Sequence, residues 1–116
     1  MCLTIISFHC HLKWANSDLN ELDLGHNQLT QVPAQIGELS NLETLLFNDN
    51  QLQTVPPELG QLANLKGLSL RNNQILELPS ELGQLSNLDV LDIAGNRITR
   101  LPVEVERLPN LSIIRR

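Results

Sequence analysis

The chain has 116 residues, enough for one domain and too few for two. Apolar residues make up 41% and charged residues 18%, the balance of a folded, soluble chain rather than a disordered one. Eight basic residues stand against thirteen acidic ones, for a net charge of −5. That excess of acid argues against nucleic acid and against an anionic membrane, both of which need clustered Lys and Arg.

Residues 1–18 carry no repeat and read as a separate N-terminal segment or cap. Leu3 to Phe8 is apolar, but no positive charge precedes it and no small-x-small cleavage site follows, so it does not read as a signal peptide. No stretch reaches the roughly 20 apolar residues of a membrane span. A cytoplasmic location is therefore expected. Cys2 and Cys10 are the only cysteines, too few for a disulfide framework. Together with His9 and His11 they form the one metal-like cluster. It lacks C-x-x-C or H-x₃-H spacing, so surface or cap residues outweigh a zinc site, and no cofactor is expected. Placing Cys10 to Leu19 on Pro33 to Leu42 puts Lys13 in the slot of Ile36 and Asn16 in that of Leu39. Residues 1–16 are thus either an irregular cap or a poorly ordered extension.

From Leu19 onward the chain repeats. The same segment restarts at Leu42, Leu65, Leu88 and Leu111, in equal steps of 23 residues. Each unit reads L-x-x-L-x-L-x-x-N-x-L: Leu19, Leu22, Leu24, Asn27 and Leu29 in the first. The second has Leu42, Leu45, Phe47, Asn50 and Leu52; the third Leu65, Leu68, Leu70, Asn73 and Ile75; the fourth Leu88, Leu91, Ile93, Asn96 and Ile98. Residues 19–116 therefore make four full units and a truncated fifth. Apolar and polar residues alternate around Leu22 and Leu24, which is strand spacing. One unit cannot bury its apolar side alone, so neighbours must stack, with strands ~4.8 Å apart in a parallel sheet.

The return path follows Val32, Val55, Leu78 and Leu101. Pro33 to Leu39, Pro56 to Leu62 and Pro79 to Leu85 read as short helical or 3₁₀ turns, with proline in the first helical position, where its missing N–H is harmless. Ile36 with Leu39, Leu59 with Leu62 and Leu82 with Leu85 plug the turn side. Gly37, Gly60 and Gly83 serve either tight packing or a left-handed backbone. The Asn27, Asn50, Asn73 and Asn96 column reads as a hydrogen-bonded ladder between coils, since an amide offers two donors and an acceptor.

These residues resemble the 23-residue leucine-rich repeats of Ras-suppressor-like proteins, of plant intracellular Ras-group-related proteins and of many bacterial cytoplasmic repeat proteins. The resemblance runs from Leu19 to Leu111. It implies an α/β solenoid, a horseshoe arc with a concave parallel sheet and short helical or 3₁₀ turns on the convex side. It also implies scaffolding or recognition, sometimes in signalling around small GTPases. The pattern degrades near the end: Val105 takes the slot of Ile36, but Glu106 replaces the glycine and Pro109 appears. Arg116 falls in an inward slot, so the last strand is expected to end or fray there. Exposed Leu111, Ile113 and Ile114 suggest a homodimer through an uncapped C-terminal end.

The expected recognition surface is the outward side of the strands and the loops beyond: Glu21, Asp23, Thr44, Leu46, Asn48, Asp49, Ser69, Arg71, Asn72, Val90 and Asp92. Leu46, Asp49, Arg71 and Asp92 are the leading contacts, against the reading that all are merely solvated. No G-x-S-x-G, G-x-x-x-x-G-K or G-x-G-x-x-G is present, so no enzymatic activity is expected. The leading function is a protein-interaction module, with intracellular signal transduction as its setting. The alternatives are the recognition fragment of a larger effector or GTPase–kinase and, less favoured, a metal protein built on the N-terminal His/Cys cluster.

Overall fold

The computed structural model describes residues 19–116. The Cys2, His9, Cys10 and His11 cluster, with the cap or extension reading of residues 1–16, lies outside the described residues. Five strands form one parallel sheet in chain order: β1 (Glu21–Asp23), β2 (Thr44–Leu46), β3 (Gly67–Ser69), β4 (Val90–Asp92) and β5 (Ile113–Arg115). Glu21 pairs with Thr44, Thr44 with Gly67, Gly67 with Val90 and Val90 with Ile113. The sequence period and the strand register are thus one quantity. The central residues Leu22, Leu45, Leu68 and Leu91 point inward and are at most 2% exposed, as are Leu24, Phe47 and Leu70 of the next inward column.

Backbone pairing runs on past each strand. Leu24 N–H donates to Leu46 O at 2.8 Å and His26 N–H to Asn48 O at 2.8 Å; Asp49 N–H donates to Arg71 O and Asn72 N–H to Ala94 O, both at 2.9 Å. To make these bonds, the residue before each ladder asparagine turns left-handed: His26, Asp49, Asn72 and Gly95 have φ of 57°, 61°, 57° and 73°. Asn, Asp and His tolerate this region better than other side chains.

The asparagines then tie the coils together. Asn73 is 7% exposed. Its Nδ2 donates to Leu70 O of its own coil and Phe47 O of the preceding one, both at 2.9 Å, and its Oδ1 accepts from Leu52 N–H at 3.0 Å. Asn50 does the same with Phe47 O, Leu24 O and Leu29 N–H, and Asn96 with Ile93 O, Leu70 O and Ile75 N–H. A second column lies where the chain leaves the turns. Asn64 Nδ2 donates to Ser40 O at 2.8 Å, Asn87 Nδ2 to Ala63 O at 2.9 Å and Asn110 Nδ2 to Ser86 O at 2.8 Å.

The return path forms 3₁₀ turns at Ala34–Glu38, Pro57–Gln61 and Ser80–Gln84. The repeated prolines do not occupy the first helical position, as the sequence reading had them. Pro33, Pro56 and Pro79 are extended N-caps, with ψ of 150°, 147° and 144°. Their carbonyls start each turn, accepting from Ile36, Leu59 and Leu82 N–H at 3.1 Å. Pro57 alone enters the first helical turn. The last turn differs in kind: α1 (Val103–Glu106) is a single α-helical turn, with Val105 buried in the slot of Ile36 and Leu108 in that of Leu39.

The glycines of the turns settle as close packing, not left-handed backbone. A Cβ on Gly37 would lie 2.6 Å from Glu58 O, and one on Gly60 would lie 2.3 Å from Glu81 O. One on Gly83 would lie 2.5 Å from Glu104 Cβ. Each turn rests directly on the next, the Ser80–Gln84 turn on α1 itself, and among the described residues no turn follows α1, where Glu106 replaces the glycine. Even so, a helical turn is broader than a strand, so the stack opens on the turn side and bends toward the sheet. The sheet is the concave wall of the arc. At its end, β5 keeps its register through Arg115, and Ile93 N–H donates to Arg115 O at 2.7 Å. Arg116 leaves the strand, exposed, with its guanidinium 3.8 Å from Glu106.

Candidate functional site

Side chains alternate across a strand, so two outward columns cover the concave wall. One reads Glu21, Thr44, Gly67, Val90 and Ile113; the other reads Asp23, Leu46, Ser69, Asp92 and Arg115. Glu21 and Asp23 are exposed; Thr44, Leu46, Val90 and Asp92 are half-buried. Ser69 departs from its assignment as an open contact: it is buried, because its small side chain sits below its neighbours and its hydroxyl hydrogen-bonds to Asn48 Oδ1.

The charged residues divide into engaged and unengaged groups. Asp92 is fully used. One oxygen accepts from Ala94 N–H at 3.1 Å and the other lies 3.5 Å from Arg71, with its side chain only 13% exposed. Its first role is to close the turn after β4. Asp23 does likewise in the first coil, accepting from Gly25 N–H at 2.9 Å. Lys66 lies 3.4 Å from Glu43 on the same wall. These pairs are solvent-screened and contribute little to stability.

Beyond the strands the loop residues form a relay. His26 Nδ1 lies 3.1 Å from one Asp49 oxygen, and Asn72 Nδ2 donates to the other at 2.7 Å. Asn72 Oδ1 then occupies the space over Gly95, where a Cβ would be 2.2 Å away. Asn48, Asp49, Arg71 and Asn72 are thereby brought into one strip along the rim of the sheet. His26, which the repeat spacing also sets beyond its strand, joins that strip by contact with Asp49. The shared left-handed conformation of His26, Asp49 and Asn72 left only a faint sequence signal, a column of residue types that tolerate it.

Away from the sheet, a groove of about 400 Å³ lies between the third and fourth coils, lined by Leu76, Glu77, Leu78, Thr99, Arg100, Leu101 and Pro102. Leu76 is 59% exposed beside it. Among the described residues no three His, Cys, Asp or Glu side chains gather as a metal site would require, and no helix is long and apolar enough to cross a membrane. Every buried side-chain polar atom of these residues has a hydrogen-bond partner.

Comparison with known proteins agrees with this geometry. Residues 17–75 match the family model described as leucine rich repeat, and residues 57–116 match that of a leucine-rich repeat region. A solved leucine-rich repeat protein of Leptospira interrogans is 39% identical with a TM-score of 0.81, over 95% of this chain. The chain spans 28% of that protein's length. A comparison with curated proteins returns no match. Domains of this kind generally mediate protein–protein interaction and act as binding scaffolds. The repeat in the sequence, the open parallel sheet backed by 3₁₀ turns and the family matches agree: this chain belongs to the leucine-rich repeat family.

Proposed function

We propose that the chain is a protein-recognition module that takes a protein partner on its concave wall, in the cytoplasm and within intracellular signal transduction. One observation carries the reading. The inward strand residues of the first four coils are at most 4% exposed, whereas Leu46 and Val90 are half-exposed on the outward side and Ile113 is 42% exposed. Apolar side chains on an otherwise polar wall favour a partner that covers them. A small GTPase or another signalling protein is the partner class that the subfamily resemblance supplies.

The test is capture from a proteome by the wild-type chain beside a Leu46→Glu, Arg71→Glu variant with a matched circular dichroism spectrum. A partner held by wild type and lost by the variant supports the concave wall. Equal capture by both sinks this reading and moves the interface to the turns or the termini. A second reading has its own observation: the chain spans only 28% of the Leptospira protein it resembles, which favours a recognition part of a larger effector or GTPase–kinase. A second copy of the chain is a further candidate partner at β5, which has one neighbouring strand among the described residues. A mass of 13.0 kDa by light scattering at high concentration would remove it.

A further inference from the structure

Gly67 is a glycine without a structural reason. It sits mid-sheet in β3, and its backbone is not left-handed, Gly95 being the glycine with positive φ. A Cβ added to it would meet no heavy atom within 4 Å, whereas one on Gly37, Gly60 or Gly83 would strike the next turn. Glycine in a strand interior is destabilising relative to alanine. Where it persists, another backbone or a ligand often approaches closely. Its missing side chain leaves a notch in the concave wall, bounded along the column by Thr44 and Val90. Ser69, the other outward residue of β3, is buried and does not fill it.

The charges around the notch are arranged with a direction. Residues 19–92 hold ten acids against Lys66 and Arg71; residues 93–116 hold five arginines against Glu104 and Glu106. Lys66, next to Gly67 in the chain, is paired with Glu43, and Arg71, beyond the end of β3, with Asp92. The exposed Glu21 and Asp23 of β1 and the exposed Arg115 of β5 form no ion pair among the described residues. Among the described residues the charge left without an ion pair is therefore negative on β1 and positive on β5.

Taking the concave wall as the recognition surface, we propose that the Gly67 notch receives one large apolar side chain from an extended segment of a protein partner lying across the strands. That segment carries a basic residue over β1 and an acidic residue over β5. The spacing follows from the sheet. β1 and β5 each lie two strands, roughly 10 Å, from β3, and an extended chain advances about 3.3 Å per residue. The basic and acidic residues therefore stand about three positions to either side of the apolar one. A nucleic acid is disfavoured because its phosphates would meet Glu21 and Asp23.

The probe is a displayed library of random twelve-residue peptides selected on the wild-type chain. Affinities of the enriched peptides are then measured on wild type, Gly67→Val and Leu46→Glu. The proposal expects enriched peptides with the basic–apolar–acidic spacing, bound about ten-fold or more weakly by Gly67→Val. It also expects Gly67→Ala to raise the Tm of the free protein by about 2–6 °C and Gly67→Val to melt no lower than wild type, so that binding lost by Gly67→Val cannot be lost folding. Enriched peptides that ignore Gly67→Val but fail on Leu46→Glu overturn the notch and leave the concave-wall reading standing. Peptides indifferent to both changes overturn both. No enrichment, or equal binding of a twelve-nucleotide single strand, overturns the notch proposal.

Discussion

Replacing Asn73 by alanine tests the account of how the coils are joined. The change removes the acceptor of Leu52 N–H and the amide donor to Phe47 O and Leu70 O. The two carbonyls keep one partner each, Asn50 and Asn96, so their loss is mild, about 0.5–1 kcal/mol apiece. Leu52 N–H is left buried beside a residue that is 0% exposed, which costs about 1–3 kcal/mol. The total is about 3 kcal/mol, and for a domain of this size it lowers Tm by about 12–24 °C. Urea denaturation followed by circular dichroism reads the loss directly. Asn73→Asp serves as the control. It keeps the acceptor but turns a carboxylate oxygen toward two carbonyls, so at neutral pH it is worse than alanine. Acidification narrows the gap, because a protonated carboxyl regains one donor. A loss below about 1 kcal/mol for Asn73→Ala would refute the reasoning, since it would mean the ladder is dispensable to coil stacking.

Other substitutions separate the roles of individual positions. Gly60→Ala is expected to lower the urea midpoint by the equivalent of about 1–3 kcal/mol, because its Cβ would be 2.3 Å from Glu81 O, a backbone atom that cannot swing away. An unchanged midpoint would show that the turns are not held in contact. Phe47→Ala removes a side chain that is 0% exposed and is expected to cost about 3–5 kcal/mol by calorimetry or urea titration. Arg71→Ala breaks an ion pair at 3.5 Å whose guanidinium side chain is 48% exposed. It should cost less than about 1 kcal/mol and leave a folded chain for binding assays.

The fold was legible because the period does two jobs. A 23-residue step in the sequence places Leu22 beside Leu45 and Asn50 beside Asn73, so finding the repeat also finds the register. The leucine-rich pattern further marks which side of each strand is inward. What it did not mark were contacts set by the neighbouring coil. Pro33, Pro56 and Pro79 cap the turns because their carbonyls are needed as first acceptors, a requirement invisible in a rule about missing N–H groups. Asn41, Asn64, Asn87 and Asn110 recur with the same period, yet only the geometry shows three of them bridging coils. Ser69 was read as open by its alternation, and its burial depends on Asn48 of the coil before it. Leu108 is buried although Pro109 follows it, because α1 carries it into the slot that Leu39 fills.

The glycine contacts between turns have a consequence for how such a chain can change over generations. Removing residues 57–79 would place Ser80 directly after Pro56, a deletion of 23 residues. Gly37 would then meet Glu81 instead of Glu58, Leu45 would pair with Leu91, and Asn96 would take the Phe47 carbonyl and the Leu52 N–H that Asn73 had held. Every seam would be remade by residues of the same kind. A deletion one residue shorter or longer would leave a single coil of 24 or 22 residues at the seam, whose return path would have to absorb the difference or shift the register of its strand. Insertion and loss by whole coils is thus the path along which length drifts without passing through a broken intermediate.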